Sequence, residues 1–422
     1  MARLLYTLLW YLLTPFLLLR LLWRARKQPA YLHNLAERFG FYAQPVSSRL
    51  IWLHAVSVGE TRAAQPLIDG LLAAFPEHIL LLTCMTPTGR ETGANVYQAW
   101  GGRVIQAYLP YEYPWAITAF FKYFRPQFGV LMETEVWPNL LTQAVRHGVP
   151  VYLANARLSE RSARGYARLA SLLRPAFASL AGVMAQTDGD AQRLLAVGAG
   201  VVRVCGNLKF DVNPPPEKLE LGKRWRSSLN ERPVCLAAST REGEESLILD
   251  AWLAHGGGNA LLVLVPRHPQ RFEAVADLLR ARGVNFGRRS QGLPTAAMQV
   301  WLGDSMGEMP AYYAMANLAF VGGSLLPLGG QNLIEAAACA CPVLIGPHTF
   351  NFRQATEDAI AAGAARRVAD ASSLVSDAAN LLADQAALAG MRQAAGAFAA
   401  AHRGAAARML ALISEWSGPT GR

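Results

Sequence analysis

The stretch Leu50-Ile51-Trp52-Leu53-His54-Ala55-Val56, followed at once by Ser57-Val58-Gly59-Glu60, decides the fold. Its opening is a near-continuous apolar run of strand length, the pattern of a strand covered on both faces. A small, flexible turn comes next, and residues 61–75 carry apolar side chains at helical spacing. The unit is therefore strand, turn, helix. Outward from it the pattern repeats. Ile79–Cys84 reads as a strand before a helix from about Gly89, and Phe128–Met132 as a strand before a helix with Pro138 at an early position. Residues 149–154, 183–185 and 201–205 continue the series. Such alternation predicts a parallel sheet with helices on both faces.

Asn213-Pro214-Pro215-Pro216 interrupts it. Consecutive prolines fit neither a helix interior nor a central strand, so residues 213–217 read as a stiff linker. Beyond them the alternation restarts, with strands expected at 234–238, 261–265, 300–302, 318–321 and 343–345, and helices over the Ala-rich 387–416. The α/β chain divides on this reading into an N-terminal segment (1–27), a first doubly wound domain (28–212), the linker, and a second doubly wound domain (218–422) whose last helix is free to pack back on the first. Two such domains are expected to face a cleft lined by the C-terminal ends of their strands.

Of 422 residues, 52% are hydrophobic and 17% charged, which excludes a disordered chain. The five cysteines, an odd number with no CxxC pair, argue against a disulfide framework and a zinc ribbon. Forty Lys and Arg against 30 Asp and Glu leave a net charge of +10. No basic run with interleaved aromatics occurs, so nucleic acid is not the expected partner. Much of the surplus lies beside an apolar N-terminal stretch, which points to an anionic membrane surface or an acidic ligand. Within residues 4–19 the only polar groups are Thr7, Thr14 and the hydroxyls of Tyr6 and Tyr11. Arg20 breaks the run, Leu21-Leu22-Trp23 resumes it, and Arg24, Arg26 and Lys27 close it. A bilayer crossing takes ~20 apolar residues, so the stretch suffices only if Arg20 snorkels, and Pro15 favours a kink. The basic residues behind it place the body of the protein on the cytoplasmic side. The segment reads as a membrane anchor, spanning or lying deep in the interface.

Several constellations carry chemistry. Glu60 stands at a first helical turn beyond a buried strand, where a carboxylate can act as a general base or simply complement the helix dipole. In Met132-Glu133-Thr134-Glu135-Val136-Trp137-Pro138-Asn139, Glu133 and Glu135 point to one side if the strand continues. Alternatively they are charges at a helix start. Lys209, in Gly206-Asn207-Leu208-Lys209-Phe210-Asp211, is placed to reach a phosphate or to form a surface pair with Asp211. In the second half, Pro266-Arg267-His268-Pro269 and Gly303-Asp304-Ser305-Met306-Gly307-Glu308 each follow an apolar strand. Gly322-Gly323 and then Gly329-Gly330-Gln331-Asn332-Leu333-Ile334-Glu335 offer a glycine loop and a helix N-terminus to a phosphate, with Glu335 available to a ribose. Asn332 and Glu335 also have capping-box spacing. Asp188-Gly189-Asp190 resembles the DxD of metal-dependent sugar transferases but begins a helix, where capping is the expected role. Cys339-Ala340-Cys341 has the wrong spacing for zinc. No GxxxxGK[ST], HExxH or GxSxG signature occurs.

Taken together, these motifs resemble those of the 3-deoxy-D-manno-octulosonic acid (Kdo) transferases of lipopolysaccharide synthesis. The matching pieces also include Met85-Thr86-Pro87-Thr88-Gly89, Ala154-Asn155-Ala156-Arg157-Leu158-Ser159 and Gly346-Pro347-His348-Thr349-Phe350-Asn351-Phe352, in the expected order over nearly the whole chain. The resemblance implies a GT-B glycosyltransferase of two Rossmann-like domains, moving Kdo from CMP-Kdo to a lipid A precursor, lipid IVA, at the cytoplasmic face of the inner membrane. It makes Glu60 the proton acceptor and Glu133 and Lys209 the transition-state stabilisers. It puts the CMP contacts on Arg267, His268, Met306, Gly307, Glu308, Asn332, Leu333, Ile334 and Glu335. The family often reads Gly-Gly-His-Asn where this chain has Gln331, which hydrogen-bonds but carries no charge. CMP leaves as one phosphate monoester, so no metal or other cofactor is expected. The alternatives are a GT-B transferase using a UDP-sugar on another lipid, and a non-catalytic lipid-binding protein.

Overall fold

The computed structural model describes residues 1–43, 49–255 and 258–418, so the last residues of the expected second domain, 419–422, lie outside the described set. The chain forms two units: Met1–Val212 together with Arg403–Arg422, and Asn213–His402. In the first, β1 (Leu50–His54), β2 (Ile79–Cys84), β3 (Val104–Tyr108), β4 (Phe128–Met132), β5 (Val151–Ala156), β6 (Gly182–Ala185) and β7 (Val202–Val204) make a parallel sheet in the order β3-β2-β1-β4-β5-β6-β7. In register, Trp52 of β1 lies between Leu81 of β2 and Gly129 of β4. Alternate residues of β1 feed two cores. Leu50 and Trp52 pack with Phe120 and Phe121 on one face, and Ile51 and Leu53 with Leu67 and Leu71 on the other. The second core also takes Ala405, Met409 and Ile413, all fully buried, from the C-terminal helix Ala405–Trp416. That helix is part of the first unit.

The second unit carries β8 (Val234–Thr240), β9 (Leu261–Pro266), β10 (Phe286–Arg288), β11 (Val300–Leu302), β12 (Leu318–Val321), β13 (Val343–Ile345) and β14 (Ala365–Arg367), in the order β10-β11-β9-β8-β12-β13-β14, all parallel. Three strands go beyond those expected from the text: β3, β10 and β14, each at a sheet edge. An edge strand is covered on fewer sides and lacks the unbroken apolar run that marks an interior one.

Two further expectations change. The helix expected over 61–75 is two, Val58–Ala63 and Gln65–Ala74, with Pro66 in the first turn of the second. The stiff linker is shorter than 213–217, because Pro216 begins the helix Pro216–Ser227 at the one helical position where a missing N–H costs nothing.

The N-terminal helix Ala2–Lys27 runs unbroken through Pro15 and is ~39 Å long at 1.5 Å per residue. One stripe packs on the first unit. Arg3 Nη1 donates to Thr142 Oγ1 at 2.9 Å, Asn139 Nδ2 to Thr7 Oγ1 at 3.0 Å, and Thr14 Oγ1 lies 2.6 Å from the Tyr113 hydroxyl. Trp10 stacks on Tyr111. The opposite stripe, Leu5, Leu8, Leu12, Phe16 and Leu19, is more than half exposed at every position.

Candidate active site

Each sheet reverses its winding direction beside its first strand, so the loops after β1 and β4, and those after β8 and β12, part at the C-terminal edge and leave a crevice. In the first unit Glu60 stands in the first turn of the helix that follows the loop after β1, and Glu133 in the loop after β4. Ser57 caps the helix Val58–Ala63 by accepting from the Glu60 amide, and its hydroxyl donates back to Glu60 Oε1 at 2.9 Å. The Val56 amide donates to Glu60 Oε2 at 2.9 Å. The side chain therefore performs the capping role as well as presenting a carboxylate, and the two bonds fix its orientation while leaving lone pairs on both oxygens. Burial above all, with the negative charges of Glu133 and then Glu135, raises its pKa from 4.5 to about 7, against the pull of the Val56 and Ser57 hydrogen bonds.

β4 ends at Met132, so the strand does not continue and the condition for Glu133 and Glu135 to point to one side as its alternate residues is not met. Glu133 sits in the left-handed region (φ 57) with its amide bonded to the Ala154 carbonyl at 2.9 Å. Its carboxylate faces Lys209 Nζ at 3.4 Å. Glu135 instead accepts from Trp137 Nε1 at 2.9 Å, and burial raises its pKa. The helix Pro138–Arg146 is held from a distance: the buried Glu112 carboxylate accepts from the Asn139 and Leu140 amides, both at 2.8 Å.

Lys209 rides on the 3-10 turn Leu208–Asp211. Three side chains hold that turn: Asn155 Oδ1 accepts from the Leu208 amide at 3.0 Å and Asn207 Oδ1 from the Lys209 amide at 3.0 Å. Asp211 accepts from the Gly404 and Ala406 amides, both at 2.6 Å, and so caps the C-terminal helix. The surface pair Lys209–Asp211 does not form. Asp190 of the DxD-like triplet is buried and structural, accepting from the Leu158 amide at 3.0 Å and pairing with Arg193.

In the second unit, Arg267 and His268 follow β9 at the crevice and are exposed. The Arg267 amide donates to the Thr240 carbonyl at 2.9 Å. Burial first, then the charges of Arg241, Arg267 and Arg271, lower the His268 pKa. Arg241, Arg267 and His268 thus share one edge with Arg271, whose charge is answered by Glu245 at 3.1 Å and Glu242 at 3.5 Å. Across it, Gly323 turns with φ 70. The Glu244 carboxylate, fully buried, accepts from the amides of Arg241 (2.9 Å), Gly323 (2.6 Å) and Leu325 (3.0 Å), bracing both lips of the crevice. Neither Arg241 nor Glu244 belongs to a motif the sequence marks, although Glu244 repeats the Glu60 pattern of an acid in the first turn of a helix after an interior strand.

The remaining residues divide by what they expose. Met306 is exposed and Gly307 has φ 74, so this turn offers surface and backbone. The Glu308 carboxylate is taken up by a two-pronged pair with Arg289, both contacts 3.0 Å, and by Ser305 Oγ at 2.6 Å. The helix Ile334–Ala338 begins after Leu333, not Asn332, so the capping-box reading fails. Asn332 Oδ1 accepts from the Ile334 amide at 3.2 Å and its Nδ2 donates to Glu335 Oε1 at 3.1 Å. Leu333 and Ile334 are buried core residues and offer a ligand only their backbone. Burial above all, and then the charge of Glu335, holds the Tyr313 phenol of the helix Met309–Met315 well above its ordinary range. Among the described residues no three His, Cys, Asp or Glu side chains converge as a metal-ligand set.

The geometry amounts to a poised carboxylate with an acid–lysine pair in one unit, and a cationic edge facing a glycine turn in the other. Residues 33–212 match the family described as 3-Deoxy-D-manno-octulosonic-acid transferase (kdotransferase). The chain is 46% identical to the 3-deoxy-D-manno-octulosonic acid transferase of Bordetella pertussis, over 99% of this chain and 100% of that one. It is 40% identical to that of Haemophilus influenzae over 83% of this chain and 84% of the other. A solved glycosyltransferase from Rickettsia africae shares the fold, with a TM-score of 0.61 at 13% identity over 89% of this chain and 100% of that chain. The two parallel-sheet units are of the GT-B class. Identity of this extent along the chain makes the protein a glycosyltransferase of the 3-deoxy-D-manno-octulosonic acid transferase family.

Proposed function

We propose that the protein transfers Kdo from CMP-Kdo to a hydroxyl of the lipid A precursor lipid IVA, with Glu60 as general base. The observation that carries this reading is Glu60 itself: a carboxylate at the crevice, oriented by two hydrogen bonds, with a pKa of about 7. A base so tuned is half ionised near neutral pH and binds the proton it removes more tightly than an ordinary carboxylate does. As the acceptor oxygen attacks the anomeric carbon, its proton passes to Glu60. The bond to the CMP phosphate breaks with its electron pair on the phosphate, and the anomeric centre inverts. Lys209 offsets the negative charge of Glu133, and the pair supports charge developing on the sugar. Arg267 and Arg241 receive the departing phosphate at the glycine turn, without need of a metal.

The acceptor lies in a membrane, and the N-terminal helix supports an in-plane anchor at the cytoplasmic face of the inner membrane. Its polar stripe is occupied by the first unit from Arg3 to Thr14, and crossing the bilayer would strip those contacts. The leucine face opposite is free to enter the lipid interface, with Arg20, Arg24 and Arg26 near anionic headgroups. The test is mass analysis of the product from purified protein, CMP-Kdo and tetraacylated lipid A precursor. A lipid one or more Kdo units heavier is expected; an unchanged lipid with CMP-Kdo, or transfer from a UDP-sugar instead, would refute the reading.

A further inference from the structure

The motif Gly346-Pro347-His348-Thr349-Phe350-Asn351-Phe352 has no part in the reaction as described above. In the structure it follows β13 and is bonded to the glycine segments of the crevice: the His348 amide donates to the Ser324 carbonyl at 3.0 Å and the Asn351 amide to the Gly329 carbonyl at 2.9 Å. Against it lies a cavity of ≈ 360 Å³ beyond the ends of β13 and β14, whose lining includes His348, Thr349, Phe350, Arg353, Glu357 and Arg367. Arg367 is already answered by Glu357 at 2.7 Å and by the Gly346 carbonyl at 3.1 Å. Arg353, at the start of the helix Arg353–Ala361, has no carboxylate partner among the described residues. Phe350 stands 53% exposed at this cavity, an aromatic edge on a loop that is otherwise anchored.

We infer that this cavity receives the carboxylate of the donor sugar, with Arg353 as its counter-ion and the His348 side chain as a second polar contact. The inference rests on the CMP-sugar reading above and names the residue that selects an acidic sugar. In a CMP-linked 2-ulosonic acid the carboxylate and the departing phosphate oxygen are attached to one carbon. A pocket for the carboxylate must therefore adjoin the phosphate-binding turn, and residues 348–351 join this cavity to that turn through backbone hydrogen bonds. The glycines at 329 and 330 allow the close approach, since side chains there would meet Asn351, Phe350 and Thr349. A neutral aldose attached to a nucleotide places no charge at that position, so Arg353 discriminates by charge rather than by size.

The test compares the affinities of CMP and CMP-Kdo for the full-length protein and its R353A and R353K variants. Wild type should bind CMP-Kdo more tightly than CMP. R353A should lose roughly tenfold or more of its CMP-Kdo affinity while CMP binding stays unchanged, and R353K should recover part of the loss. Unchanged CMP binding also reports that the variant is folded. Equal losses for both ligands would assign Arg353 to the nucleotide or to stability and overturn the inference, as would no loss for either. If wild type binds a UDP-sugar and not CMP-Kdo, it is the donor reading that falls.

Discussion

Replacing Glu60 by Gln separates the chemical role of this side chain from its structural one. The carboxylate caps a helix and is bonded to Val56 N and Ser57 Oγ, and Gln keeps the shape and one accepting oxygen. Turnover should fall by ~10²–10⁴, the usual worth of a positioned base. Stability should move the other way. The folded-state pKa of about 7 stands above the ordinary 4.5, so the native protein binds this proton more tightly than the unfolded chain. The corresponding contribution is fully present below pH 4.5 and is lost as the pH rises through about 7. At ~1.4 kcal/mol per pH unit of that difference, the ionised side chain burdens wild type by ~3 kcal/mol at pH 8, less after solvent screening of a partly exposed group. The glutamine amide loses one hydrogen bond, ~1 kcal/mol. The variant should thus be ~1–2 kcal/mol more stable than wild type at pH 8 and no more stable at pH 4.5, as read by urea denaturation at the two values. Transfer rates come from mass analysis of the lipid product. A variant that keeps more than a tenth of the wild-type rate, or a stability difference that does not change with pH, would refute the reasoning.

Glu133→Gln removes a negative charge that helps hold the Glu60 pKa up, so the acid limb of the kcat/KM profile should move below pH 7; a limb that stays in place would show that burial alone sets it. Asp211→Ala leaves the Gly404 and Ala406 amides without their acceptor and should cost ~1–3 kcal/mol in chemical denaturation, with a further loss of kcat as the Lys209 turn loosens. Glu244→Ala strands three amides, two of them buried, and should raise the Kd for CMP at least tenfold, measured by calorimetry. The double change Leu8→Asp with Leu12→Asp touches only exposed positions of the N-terminal helix, so sedimentation with anionic vesicles should be lost while CMP affinity stays constant.

Much of this was legible in the residues because interior strands and crevice motifs write local signals. A strand covered on both faces is apolar at nearly every position, which is why β1, β2, β4 and β9 stand out as runs and the edge strands β3, β10 and β14 do not. Glu60, Glu133 and Arg267 stand out as charged residues just beyond apolar strands, Lys209 as a charge between the last strand of the first half and the prolines, and Glu335 as an acid following a glycine loop. Glu244 shares that local pattern, but its task, accepting amides from two loops about eighty residues apart, has no local mark.

By itself the sequence determined the strand–helix alternation, the break at the prolines, the apolar N-terminal helix and the set of residues with chemistry to offer, since each depends on side chains within one or two turns of one another. Only the tertiary structure decided which of those groups meet. It paired Lys209 with Glu133 instead of Asp211, gave Asp211 to the C-terminal helix, turned Glu308 to Arg289, and drew that last helix into the core of the first unit. These outcomes depend on backbone amides and charges brought together from distant parts of the chain, where burial sets the strength of each contact and no spacing along the chain records it.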